Sequence, residues 1–297
     1  MSPAPVRRPR QNPRAARKPA RGRRSGLLWL WMLVLLVVAL GGLAGAGLIA
    51  YRVLRSGHAI HIGSLRRIMH EAETRHPNSL WHVVHDLCVP DAELSGRPDP
   101  CVKVDLTGGY AVIKDPERPT QFLLIPTRRI VGIESPDLLQ PGSPNYWRAA
   151  WDARHYLDDQ VGRPIPREDV GLAINSAPGR TQNQLHIHID CLRPEVAADL
   201  VRRADEIGQD WRWLRGLGGE TFRARWIAGE DLGGADPFKL LAKGVPLARQ
   251  DMADQTLVLV GAQRRDGAPG FILLTAQADA EAAGEVLLDH HCELMQP

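Results

Sequence analysis

The 297-residue chain is 44% hydrophobic and 24% charged, a balance that excludes a disordered or collagen-like polymer and leaves ample apolar residues for a core. Its net charge of +3 hides a segregation: nine Arg and Lys fall in the first 24 residues with no acid among them, leaving 28 basic against 34 acidic residues beyond. A basic tail of this kind could bind nucleic acid, but it stands directly before an apolar run, which argues for another role.

That run, Gly26 to Tyr51, carries no charge and is long enough to cross about 30 Å of hydrocarbon as a helix. The positive-inside rule keeps the basic flank cytoplasmic and places the residues beyond Tyr51 across the membrane. Residues 1–25 are then a cytoplasmic tail, 26–51 a transmembrane anchor, 52–79 a juxtamembrane linker or helix, and 80–297 the folded body. Arg66, Arg67 and His70 in the linker suit either anionic headgroups or solvent. Ala44-Gly45-Ala46 would also suit a signal peptidase, but the apolar run exceeds the roughly 7 to 15 residues of a signal-peptide core.

The body opens on Cys88 and Cys101, which bracket a Pro/Gly-rich loop; Cys191 and Cys292 come later. Four cysteines in an exported body favour two disulfides, with three connectivities possible. Cys88 with Cys101 and Cys191 with Cys292 is the preferred pairing. GGYAVIKDPERPTQFLLIPTRRI then gives two apolar runs around a turn cluster, a hairpin. SPNYWRAAWDARHYLDDQVG has helical spacing, with Ser143-Pro144 in capping positions, Gly162 as a stop, and Trp147 and Trp151 on the core side. VGLAINSAPGRTQ and QLHIHIDCL read as two strands joined by a Gly/Pro/Ser/Arg loop; helices come next at about 194–207 and 236–254. The last feature, TLVLVGAQRRDGAPGFILLTA, is a second hairpin whose plan hints at a degenerate second copy. This order predicts an α+β fold around a mostly antiparallel sheet.

The chemistry concentrates in QLHIHIDCL. In a strand, His186, His188 and Asp190 share one face, while Leu185, Ile187 and Ile189 anchor the other in the core. Polar groups so placed must meet water, a ligand or one another. The pair of histidines can be a satisfied structural pair, the start of a metal site, or a nucleophile with its orienting partner. Metal binding is disfavoured because the only later histidines are His290 and His291, so no metal is expected.

The stretch NSAPGRTQNQLHIHI resembles the strand-loop-strand of the histidine-triad superfamily of nucleotide hydrolases and transferases. Asn175 stands eleven positions before His186, and Gln182 and Asn183 stand four and three before it, as polar residues do there. The whole layout, including GGYAVIKD, LLIPTRRIVGIESP, SPNYWRAAWDAR, CLRP, the four cysteines and the C-terminal DHHCEL, is similar to the bacterial CDP-diacylglycerol pyrophosphatases, a membrane-bound branch of that superfamily.

The resemblance implies a histidine-triad-like antiparallel sheet and hydrolysis of CDP-diacylglycerol to CMP and phosphatidate, in phospholipid metabolism and without a cofactor. It makes His188 the nucleophile and His186 its orienting neighbour. Asn175, Gln182, Asn183 and Asp190 would contact phosphate or leaving group, and Arg180 and Arg193 would neutralise the diphosphate or else be solvated surface arginines. It also implies a single-pass protein of the bacterial inner membrane with its catalytic body in the periplasm. Two departures stand out: Asp190 replaces the third His of the triad, and Gln121 lies where many members carry another His. Transfer of the nucleotidyl group to an acceptor other than water, and a noncatalytic lipid- or protein-binding domain, are the alternatives.

Overall fold

The computed structural model describes residues 76–246, 248–277 and 284–296. The expected basic tail, anchor and nearly all of the linker lie outside the described residues, among which no helix is long and apolar enough to cross a membrane.

The first described helix runs from α1 (Ser79–His82) through a π-helical stretch (Val83–Cys88) to α2 (Val89–Ser95), ending at Gly96 with φ 69°. The Cys88–Cys101 disulfide ties it to the sheet edge. Strands β1 (Lys103–Asp105), β2 (Tyr110–Lys114) and β3 (Phe122–Pro126) form an antiparallel meander, with Ala111 opposite Ile125 and Ile113 opposite Leu123.

The region expected to form one helix forms two, α3 (Tyr146–Asp152) and α4 (His155–Val161). Their junction falls where the Arg154 guanidinium turns back to donate to the Trp151 carbonyl at 2.7 Å, taking an acceptor from the helix ladder. Asn145 caps α3, its side chain accepting from the Arg148 N–H at 3.2 Å, two residues beyond the expected Ser143. Gly162, at φ 84°, ends α4 as expected.

Strands β4 (Val170–Ile174) and β5 (Ile187–Leu192) pair with Ala173 opposite His188. Helix α5 (Pro194–Arg203) comes after them. A hairpin not anticipated from the sequence is next, β6 (Arg212–Leu217) and β7 (Glu220–Ala228), then α6 (Pro237–Gly244), β8 (Gln255–Gln263) and β9 (Pro269–Gln277). The two-residue β10 (Leu288–Asp289) pairs with the end of β5.

The ten strands of the described residues form one antiparallel sheet in the order β1-β2-β3-β5-β4-β8-β9-β7-β6, with β10 on β5. Two halves share a connectivity: a hairpin, helical residues, then a second hairpin whose later strand pairs with the first hairpin, giving β2-β3-β5-β4 and β6-β7-β9-β8. The halves join through β4 and β8. The C-terminal hairpin therefore occupies the place of β4 and β5, not of β2 and β3.

One face of the sheet is covered by the helices after β3: Ile187 and Ile189 pack there with Leu172, Leu259, Phe271, Trp147 and Trp151, both tryptophans being buried. The other face carries two apolar patches. Val83, Val84 and the first disulfide cover Ala111, Ile113, Leu123 and Ile125. Val196, Leu200 and Leu287 cover Ala173, Val258, Ile272 and Leu274. At about 25 cal/mol per Å² of buried apolar surface, the two faces together supply the main stabilising term.

Candidate active site

His188 stands directly between the two patches, because the register puts it opposite Leu123 of β3 on one side and Ala173 of β4 on the other. Residues directly opposite in an antiparallel pair share a face, so its ring emerges where the cover changes from the first described helix to α5 and the C-terminal segment. β9, in the place of β5 in the other half, carries Ile272 and Leu274 on that face. Only one half is thus equipped with imidazoles.

A cleft of about 250 Å³ opens there, lined by His186, His188, Asn175, Gln182, Gly179, Thr181 and Glu285, by Ser79 and Leu80 of α1, and by Asp115 to Arg118 of the β2–β3 turn. His186 and His188 are buried, their rings 4.8 Å apart and edge to face. The Nδ1 of His186 lies 2.7 Å from the Gln184 carbonyl, which can only accept, so that nitrogen carries the proton. Burial lowers the pKa of His186 against this bond. Both ring nitrogens of His188 are buried without a hydrogen-bond partner.

The nearest charged group to His188 is Glu285, whose Oε1 lies 3.6 Å from Nδ1. Desolvation nonetheless dominates and lowers His188 to about 3 against the pull of that carboxylate, so at neutral pH the ring is uncharged. Burial pushes Glu285 up, but His188, the Asn175 and Gln121 amides and His290 outweigh it and hold the acid at about 2. Asn175 grips it twice, donating from Nδ2 to Oε2 at 3.1 Å and accepting at Oδ1 from the Glu285 N–H at 3.2 Å. Gln121 donates to Oε1 at 3.4 Å.

Asp190 is fully buried. It accepts from the Thr120 hydroxyl at 2.7 Å, the Cys191 N–H at 2.9 Å and the His290 Nδ1 at 2.8 Å. Burial raises its pKa, opposed by these three bonds. Asp190, expected to contact phosphate or leaving group, is not among the residues lining the cleft and bonds instead to His290.

Of the residues singled out from the sequence, the cleft brings together His186, His188, Asn175 and Gln182, the last also accepting from the Leu80 N–H at 3.2 Å. Asn183, Arg180 and Arg193 are not among the lining residues. Arg180 makes a bidentate pair with Glu134 at 2.7 and 2.6 Å. Arg193, just past β5, binds the Val286 carbonyl and Glu195. The lining instead includes Arg118, its only Arg or Lys among the described residues. Glu285, His290, Gln121 and Arg118 are the site residues that motif spacing did not assign.

The preferred disulfides are both present, and Cys191–Cys292 fastens the segment carrying Glu285 and His290 to the strand carrying His188. Among the described residues the one group of three His, Cys, Asp or Glu ligand atoms lying within 4.8 Å of one another is Asp190, Cys191 and Cys292, whose sulfurs are joined to each other.

Packing alone gives no reason to seal a neutral imidazole beside a carboxylate at the base of a polar cleft, and such an arrangement is typical of sites that carry chemistry. The sequence model of the CDP-diacylglycerol pyrophosphatase family matches residues 75–296. The chain belongs to that family, whose activity is hydrolysis of the diphosphate of CDP-diacylglycerol.

Proposed function

We propose that the chain hydrolyses CDP-diacylglycerol to CMP and phosphatidate in two displacements at the cytidine-side phosphorus, by way of a cytidylylated His188. The observation that carries this reading is the His188 ring itself: neutral, buried, on the cleft wall, and with no hydrogen bond occupying either nitrogen. A nitrogen lone pair attacks phosphorus, and the bond to the phosphatidate oxygen breaks with its electron pair. The leaving group is a phosphate monoester of low basicity, so little acid catalysis is needed. Water then attacks the same phosphorus, the P–N bond breaks, and the ring regains its lone pair while the water proton passes to solvent.

Arg118 is the cation best placed to meet the diphosphate, and the Gln182 and Asn175 amides and the backbone around Gly179 add polar groups on the same wall. The alternation of His and Ile running from His186 into β5, with Asn175 just past the end of β4, supports kinship with the histidine-triad hydrolases and transferases. In this reading the apolar segment 26–51 anchors the enzyme in the bacterial inner membrane where its lipid substrate resides, with the catalytic body in the periplasm. Two disulfides support an oxidising compartment.

Hydrolysis in ¹⁸O-water tests the site of attack: the label enters CMP if the cytidine-side phosphorus is attacked, and phosphatidate if it is not. Adding alcohol acceptors to the same assay separates hydrolysis from nucleotidyl transfer, which would convert CMP into its esters.

A further inference from the structure

The chain after β9 returns to the catalytic strand and is held there at several points. Leu288 and Asp289 pair with Leu192 and Cys191, the Arg193 N–H donates to the Leu287 carbonyl at 3.0 Å, and Cys292 is bonded to Cys191. Two side chains of this returning segment turn toward His188. Glu285 Oε1 stands 3.6 Å from His188 Nδ1 and 3.5 Å from His290 Nε2. His290 in turn bonds through Nδ1 to Asp190 at 2.8 Å. A line of Asp190, His290, Glu285 and His188 therefore runs from the core to the cleft wall, with Asn175 and Gln121 fixing the orientation of its third member.

A nucleophilic imidazole must present one nitrogen as a lone pair and hold its proton on the other, and a partner at the protonated nitrogen decides which is which. His186 has the Gln184 carbonyl for this purpose; His188 has no such carbonyl bond, and the carboxylate of Glu285 is what faces its Nδ1. The present separation exceeds a hydrogen bond, and contacts of this kind commonly tighten when substrate is bound.

We propose that Glu285 is a positioning residue for His188: its carboxylate takes the Nδ1 proton as a hydrogen bond, so that the Nε2 lone pair is presented to phosphorus. The inference rests on His188 being the nucleophile. As Nε2 bonds to phosphorus and the phosphatidate oxygen leaves with its electron pair, the ring keeps its Nδ1 proton and becomes positive. Glu285 then faces that charge, and when water displaces the ring the P–N electron pair returns to Nε2 with the Nδ1 proton still in place. Asp190 and His290 support Glu285 from behind, which gives a role to a buried acid and a histidine that touch no substrate.

The test combines kinetics with ¹⁵N NMR of the His188 ring at pH 7 in the wild type, Glu285→Gln and Glu285→Asp. The wild type is expected to show a protonated Nδ1 and a bare Nε2. Glu285→Gln is expected to lower kcat by roughly 10²-fold or more with KM changed less than about threefold, and to shift the ring toward a mixture of tautomers. Glu285→Asp, which keeps the charge on a shorter arm, recovers part of kcat. A wild-type ring protonated at Nε2 overturns the proposal whether or not the variants fold. So does a Glu285→Gln enzyme with unchanged kcat, or one whose kcat falls while the ring signals stay as in the wild type. Quenched wild-type enzyme carrying the cytidylyl group on His188 alongside any of these results means that the positioning role alone has failed; a label on another residue overturns both readings.

Discussion

Asn175 holds Glu285 at both of its polar ends, donating to the carboxylate at 3.1 Å and accepting from the same residue's backbone N–H at 3.2 Å across 110 positions of sequence. One amide thus sets both the path of the returning segment and the direction of its acid. Asn175→Ala leaves a partly buried carboxylate and a backbone N–H without their partner. We predict a loss of about 1–3 kcal/mol in stability and a fall in kcat of at least about tenfold. Thermal denaturation and steady-state kinetics on the same preparation check both, and an unaltered Tm would show that the bonds contribute nothing.

Acidification should destabilise the protein through the buried groups of its cleft. His188 is lowered from 6.5 to about 3, so between these values the unfolded chain binds a proton that the folded one refuses, and stability falls as pH falls. Glu285, lowered from 4.5 to about 2, works in the same direction: the stability it gives above its unfolded value is lost on the way down to its folded one. The slope is at most about 1.4 kcal/mol per pH unit per proton. Asp190, raised by burial, acts oppositely, so the informative quantity is the difference between two proteins. Denaturant midpoints from pH 7 to 5 should decline less steeply for His188→Asn than for the wild type; parallel curves would mean that His188 titrates normally in the fold.

The two disulfides should differ in consequence. Cys88–Cys101 spans 13 positions and fixes the first helix; Cys191–Cys292 spans 101 and fixes the segment bearing Glu285 and His290. Replacing both members of the second pair by Ala is expected to reduce stability by about 2–5 kcal/mol and to lower kcat with it. The first pair closes a shorter loop and should affect stability more than turnover. Activity measured well below each variant's Tm separates the two effects.

Three arginines should give three different results. Arg118→Ala removes the cation on the cleft wall and is expected to raise KM about tenfold, or about 1.4 kcal/mol. Arg180→Ala strands Glu134 and should destabilise the fold by about 1–3 kcal/mol while leaving KM near its original value. Arg193→Ala loses a bond to the Val286 carbonyl on a partly exposed side chain and should change stability by less than about 1 kcal/mol. A large KM effect from Arg180 or Arg193 would return the diphosphate to the arginines that the motif suggests.

Much of the frame was legible because it is local. Alternation marked β5, a turn cluster between apolar runs marked β2 and β3, and branched aliphatics marked β8 and β9. The hairpin of β6 and β7 escaped because its outward positions are Arg and Glu and because exposed Trp213 lies under the Arg223 guanidinium, 3.9 Å from its ring centroid, so no apolar run announces it. The histidines of the site were legible from spacing on one strand. Glu285 and His290 were not: they come from a segment about a hundred residues away, and only the pairing of β10 with β5 and the Cys191 bond bring them into place. The partners of Arg180 and Asp190 lie 46 and 100 positions away, distances over which sequence pattern carries no signal.

Chemical trapping bears most directly on the central claim. Wild-type enzyme mixed with CDP-diacylglycerol labelled in the cytidine-side phosphate, quenched within the first turnover and digested, should yield a peptide with an acid-labile, base-stable label on His188. His188→Ala should yield no label and no CMP. A label on another residue, or CMP still released by His188→Ala at a rate near that of the wild type, would contradict the account.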